Sequence, residues 1–202
     1  MKLDLVNSPE LVVFTTREFA HLEDISVAAA SKRLARLHRA NRSFVQLTRG
    51  IWVNTAHPGF TPLACVPLLT GAEQGYVSFL TALHIHGALS QIPAGIQVAT
   101  TGHTRQLRTA VGTFEFLQLK PKMFAHGIVW SDSAYRIATL EKALLDTFYI
   151  STRKKRRFSR LPELELEQAG FSERRYRALL KQHLLPAPIA VAMQGRLAAV
   201  LA

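Results

Sequence analysis

The clearest patterning of hydrophobic and polar positions lies between Thr15 and Asn54. Phe19, Ala20 and Leu22 give an apolar side to a short helix that opens at Thr15-x-x-Glu18. This is a capping box, in which the Thr hydroxyl and the Glu carboxylate each satisfy an exposed amide. Ser26 is placed to cap a second helix, Val27 to about Ala40, where Val27, Ala30, Leu34 and Leu37 recur on one helical face. The period then falls to that of a strand. Ser43 to Leu47 alternates, Thr48-Arg49-Gly50 turns the chain, and Ile51-Trp52-Val53 returns, with Gly50 supplying the positive φ of a tight hairpin. Two helices followed by a hairpin with arginine at its tip is the plan of a winged helix-turn-helix domain.

Outside that stretch the pattern is weaker. Ser8-Pro9-Glu10 suits a helix start, whereas Leu11 to Phe14 is β-prone, so residues 1–14 read as either. His57-Pro58-Gly59 with Pro62 marks the expected boundary between residues 1–57 and 58–202. Beyond it the pattern predicts a short helix Leu63–Leu69 interrupted by Pro67, and a helix Phe79–Leu89. Strands are expected at Ile96–Thr101 and Thr113–Leu119, separated by an exposed basic loop, Gly102–Arg108. A short strand Tyr135–Thr139 then precedes a helix Leu140–Ile150 that turns Ala143, Leu144 and Phe148 inward. Helices at Leu161–Ala169, Ser172–His183 and about Ile189–Leu201 complete the chain. The expected fold class is α+β, a winged helix-turn-helix followed by a mixed α/β C-terminal domain with a basic helical tail.

Composition changes this picture mainly through charge. The net charge is +11, and it is uneven: residues 1–57 carry 8 Lys/Arg against 5 Asp/Glu, residues 58–152 carry 6 against 5, and residues 153–202 carry 11 against 4. Lys32 to Arg49 holds six basic residues and no acidic one. Basic charge in two clusters points to a polyanion partner rather than to solubility alone. On the second helix the face opposite Leu34 carries Ala28, Lys32, Ala35, Arg36 and Arg39, flanked by Ala29, Ser31 and Arg33. Small residues there allow close approach to base edges, and Lys32 and Arg36 can reach guanine O6 and N7. Arg33, Arg39, Arg42 and the hairpin-tip Arg49 suit phosphates, so Ser31, Lys32, Arg33, Arg36, Arg39, Arg42 and Arg49 form the candidate DNA-binding set. The run Arg153, Lys154, Lys155, Arg156 and Arg157 reads equally as a solvated linker and as a further phosphate contact.

Catalytic chemistry finds no foothold. A Walker-type loop, a Gly-x-Ser-x-Gly elbow and a His-Glu-x-x-His helix are all missing, and Glu141 and Asp146 sit poorly on one helix face. Glu141-Lys142 reads as a cap with local pairing. His84 and His86, two apart, fall on different faces and do not make a joint metal site. Cys65 stands alone, without a disulfide partner or a basic neighbour to lower its pKa. The expectation is a non-enzyme without cofactor or metal. The apolar segment Leu184 to Ala202 is broken by Pro186, Pro188, Gly195 and Arg196, and no signal-peptide pattern opens the chain. No membrane role is expected, and the cytoplasm is the expected compartment.

An ordered set of motifs resembles the AbiEi-type antitoxins, the transcriptional regulators of bacterial type IV toxin–antitoxin systems. It begins with Phe14-Thr15-Thr16 and the Arg49-Gly50-x-Trp52 of the hairpin, and continues through Tyr76-Val77-Ser78, Ala82-Leu83-x-x-His86-Gly87 and Gln91-Ile92-Pro93. It runs on through Val98 to Gly102, Arg105, Arg108-Thr109 and Gly112-Thr113-Phe114, to Ile137-Ala138-Thr139-x-Glu141-Lys142-Ala143-Leu144-Leu145-Asp146. Leu140 departs from the proline often found at that helix start. The resemblance implies an N-terminal domain that represses its own operon at promoter inverted repeats, two copies meeting on the DNA. It also implies a C-terminal domain that neutralises a nucleotidyltransferase-like toxin. The rival expectations are a stand-alone winged-helix regulator and a protein-interaction module without a toxin. A nuclease lacks the paired acidic residues a metal needs.

Overall fold

A computed structural model describes residues 5, 7–153 and 157–201. They form a mixed α+β fold with seven α-helices and two sheets. A single turn of 3-10 helix, Pro9–Leu11, leads into β1 (Val13–Thr15), which resolves the ambiguous start in favour of a strand. Ser8 caps no helix; its hydroxyl donates to the Glu10 carboxylate at 2.6 Å. Then come α1 (Thr16–Leu22), α2 (Val27–Asn41), β2 (Phe44–Thr48) and β3 (Ile51–Asn54). The Thr15–Glu18 capping box is present, and Ser26 accepts from the Ala29 amide at 3.2 Å.

β3 is the middle strand of the first sheet, with β1 and β2 antiparallel on either side. Register alternation then splits its residues between two cores. Trp52 joins Leu11, Phe14, Phe19, Ala30, Leu34 and Phe44 in the core beneath α1 and α2. Val53 and Leu47 pack instead into the larger core shared with the second sheet. Val27, expected on the buried face of α2, is 49% exposed, and Ala30 and Leu34 carry that face.

The second sheet runs β6-β7-β5-β4-β9-β8, built from β4 (Gly75–Val77), β5 (Ile96–Thr100), β6 (Arg105–Thr109), β7 (Gly112–Gln118), β8 (Ile128–Trp130) and β9 (Arg136–Ala138). The pairs β5–β7 and β4–β9 are parallel and the others antiparallel. The segment expected as an exposed basic loop is largely strand β6, held on β7 from Arg105 to Thr109. Pro67 does not interrupt a helix but opens one, in the first turn of α3 (Val66–Thr70), where its missing amide costs nothing. α4 (Phe79–Ile85) stops short of the expected Leu89, and residues 161–165 carry no regular secondary structure while 166–170 form turns rather than a helix.

α5 (Leu140–Ser151) is buried along its whole length, including Glu141, Lys142 and Asp146. Lys142 Nζ pairs with Asp146 Oδ1 one turn away, both fully buried. Asp146 Oδ2 accepts from Tyr76 Oη and Ser78 Oγ, each at 2.8 Å, while Lys142 donates to Tyr76 Oη at 2.9 Å. Glu141, expected to pair locally, reaches across the chain to Arg175 Nε (2.8 Å) and the Ser172 amide (3.1 Å); Thr139 is the cap. α6 (Glu173–Gln182) and α7 (Ala187–Leu201) close over α5 through Tyr176, Leu180, Met193 and Leu197. Among the described residues no helix is long and apolar enough to cross a membrane.

Two stability measurements follow from this packing. Asp146→Ala strands the Lys142 ammonium in the core and lowers the unfolding free energy by about 3–5 kcal/mol. The double substitution Lys142→Met with Asp146→Leu, which leaves no charge behind, costs less; denaturant titration compares them. His183 is 2% exposed and donates from Nδ1 to the Lys122 carbonyl at 3.1 Å. Burial, helped by the Lys142 charge and by His126, holds its pKa below the usual imidazole value against the opposing Lys122 carbonyl and Asp146. The unfolded chain therefore takes up this proton first, and stability falls as pH drops below about 6.5 towards the lowered folded value. His183→Gln should flatten that part of the stability–pH curve relative to the parent chain.

Candidate nucleic-acid interface

The N-terminal hairpin is fixed by three residues. The Thr16 amide donates to the Gly50 carbonyl at 2.9 Å, the Thr16 hydroxyl approaches the same oxygen at 3.4 Å, and Trp52 Nε1 donates to Thr16 Oγ1 at 3.2 Å. The turn carbonyl is thereby tied to the first residue of α1, and the tip cannot swing independently of the helices. His38 braces the other side, with Nδ1 donating to the Phe44 carbonyl at 2.8 Å and its ring set edge-on to Trp52. Gly50, at φ +80°, makes the turn that carries Arg49 out into solvent.

Between α2 and this hairpin lies an open groove of about 650 Å³. Ser31 and Ala35 line it from α2, Gln46, Arg49 and Trp52 from the hairpin, and Thr16 and Arg17 from α1. Its polar side chains are mainly hydrogen-bond donors and cations, with no carboxylate among the lining residues, so the groove suits an anionic ligand.

The sequence-chosen residues divide into two groups. Ser31, Lys32, Arg36, Arg42 and Arg49 are exposed, and none of the four cations forms an ion pair among the described residues. Arg39 is exposed too, its Nε donating to the Ala35 carbonyl at 3.2 Å. Arg42 ends α2 in the left-handed conformation, φ +55°, which turns the chain towards β2. Arg33 is different. Its Nη1 lies 2.6 Å from Glu23 Oε2 and its guanidinium stands 5.9 Å from the Phe19 ring, so it buttresses α1 against α2 rather than standing free for a phosphate. The acid balancing it comes from ten residues upstream, outside the acid-free window. Thr16, Trp52, Arg17 and Gln46 lie outside the sequence-based set, although the motifs Phe14-Thr15-Thr16 and Arg49-Gly50-x-Trp52 mark the first two.

The second basic cluster stands apart from this group. Arg153 donates to the Gln118 carbonyl at 3.0 Å and lies over Tyr149, and Arg157 pairs with Glu115 and lies over Phe158. Both are held against the second sheet or the aromatic rings beside it. Lys154, Lys155 and Arg156 lie outside the described residues.

His84 Nδ1 donates to the Leu89 carbonyl at 2.8 Å and His86 Nε2 to the Ala138 carbonyl of β9 at 2.7 Å, so the two rings brace separate parts of the chain. Burial pushes the Cys65 thiol up to about 12, far from a nucleophile's range. No group of three metal-binding side chains occurs among the described residues. No protein-family model matches the chain, and no curated protein matches it.

The two kinds of arginine separate experimentally. Arg33→Ala leaves Glu23 without its partner and lowers stability by about 1–2 kcal/mol, a value tempered by the partial exposure of the pair. Arg36→Ala changes stability by less than about 0.5 kcal/mol. Urea unfolding curves of the two variants give the comparison directly.

Proposed function

We propose that the chain is a winged helix-turn-helix repressor that also acts as the antitoxin of a type IV toxin–antitoxin pair. In this reading α2 is the recognition helix, Lys32 and Arg36 meet base edges, and Arg39, Arg42 and Arg49 hold phosphates. The observation that carries it is the groove shared by α2 and the hairpin, with unpaired cations on the exposed helix face and at the hairpin tip. The order β1-α1-α2-β2-β3, with β3 central in its sheet, supports the same reading. Binding to inverted repeats would bring two copies together on the operator. The toxin-neutralising half rests on the resemblance of the chain to AbiEi-type antitoxins, and its partner would be a nucleotidyltransferase-like toxin encoded beside it.

The rival reading is a stand-alone regulator or an interaction module with no toxin. The exposed edge strand β8, where Trp130 is 70% exposed, offers such a module a contact surface.

With three cations on phosphates, log affinity should fall against log salt with a slope of about −2.7. Arg36→Ala should weaken binding to the promoter of the chain's own operon by roughly tenfold or more. A gel shift with that promoter that ignores salt, or that Arg36→Ala leaves unchanged, overturns the repressor half. In cells, the full chain carrying Lys32→Ala and Arg36→Ala should lose repression yet still rescue growth from the adjacent toxin. Failure of the unsubstituted chain to rescue overturns the antitoxin half.

A further inference from the structure

The first turn of α2 is unusual for a face turned towards a groove suited to an anionic ligand. Val27, Ala28 and Ala29 are all exposed and all apolar, and Val27 lines the groove beside Ser31 and the hairpin. Nothing in the core claims Val27: Ala30 and Leu34 fill the buried face, and nearly half of the valine surface remains open. Polar side chains begin only at Ser31 and Lys32.

Resting on the repressor reading above, the geometry points to Val27 as a specificity-determining residue that reads the 5-methyl group of a thymine. In the major groove only thymine presents a methyl, and the other base-edge features are hydrogen-bond donors and acceptors. A side chain without donors or acceptors is selective only for that methyl, and the alanines beside it leave room for the base edge to approach. Ser31, one turn on, and Lys32 then meet the adjacent positions. Val27 and Lys32 are separated by five residues, roughly 7.5 Å along a helix axis. For a helix lying along the groove, this is roughly two base-pair steps of about 3.4 Å. The half-site should therefore pair a thymine under Val27 with a guanine about two steps away under Lys32.

The test selects a random-sequence duplex library on the full chain and remakes the winning duplex with deoxyuridine in place of thymine, one position at a time. At one position, loss of the methyl should weaken binding about threefold to fivefold, with a guanine about two steps from it. Val27→Ala, which removes both γ-methyls and draws the apolar surface back from the base, should lose most of the thymine-to-uracil ratio, while Val27→Thr, which keeps one methyl, should retain part of it. Thermal unfolding checks that both variants keep the fold. If Val27→Ala retains the parent's thymine-to-uracil ratio at every position, or if no position responds to uracil, the assignment of Val27 is overturned while sequence-specific binding stands. If the library yields no enriched duplex and binding is insensitive to salt, the repressor reading falls and the assignment falls with it.

Discussion

The fully buried pair Lys142–Asp146 is the constraint around which the larger part of the molecule closes. An ammonium and a carboxylate removed from water are tolerated only when each is paired and the remaining lone pairs are filled. Tyr76 from the middle of β4 and Ser78 at the start of α4 complete that requirement, so one carboxylate joins α5 to the middle of the sheet. Burial lowers the Lys142 pKa, and the neighbouring Asp146 opposes the shift. Gly127 is part of the same arrangement: a Cβ there would come within 2.8 Å of Lys142 Cβ, so the loop before β8 can pass over the lysine only as glycine, at φ +74°. His183 feels both charges of the pair, and through it the close of α6 is coupled to the same polar centre.

Charge at the surface is distributed by a comparable logic. The net +11 is not all available to a ligand, because Arg105, Arg157, Arg175 and Arg177 are matched to Glu73, Glu115, Glu141 and Glu173. Arg33 is matched to Glu23 in the same way. Lys32, Arg36, Arg42 and Arg49 are left without such partners among the described residues. Unpaired cations on one side of a rigid helix–hairpin unit hold a field that paired ones do not. The candidate interface is thus marked by the gathering of such cations on α2 and the adjoining hairpin tip.

Local signals were legible and tertiary ones were not. The Thr15–Glu18 box, the Ser26 cap and the Arg49-Gly50 turn involve neighbours within four residues, and the structure reproduces each. β4 and β8 are three residues long, too short for a period to show; β4 depends on β5 and β9 from further along the chain, and β8 on β9 alone. β6 was hidden for a different reason. Its exposed edge position alternates partly buried and exposed residues, and charge at Arg105 and Arg108 made it look like a loop. The long-range partners of Arg33 and Glu141 were equally invisible, since a carboxylate ten or thirty-four residues away leaves no spacing rule to read.

Val27 shows where the two levels of reading part. Its spacing from Ala30 and Leu34 is that of a buried helical stripe, and on periodicity alone it belongs to the core. The helix begins at Val27, though, so the core beneath it ends at Ala30, and the hairpin is held away from the valine by the Thr16–Gly50–Trp52 contacts. An apolar side chain is left facing a groove whose polar lining is mainly donors and cations. Fixing the hairpin so tightly has a further consequence for any ligand there. The distance between the helix face and Arg49 is set by the fold before binding, so little ordering remains to be done when a duplex arrives.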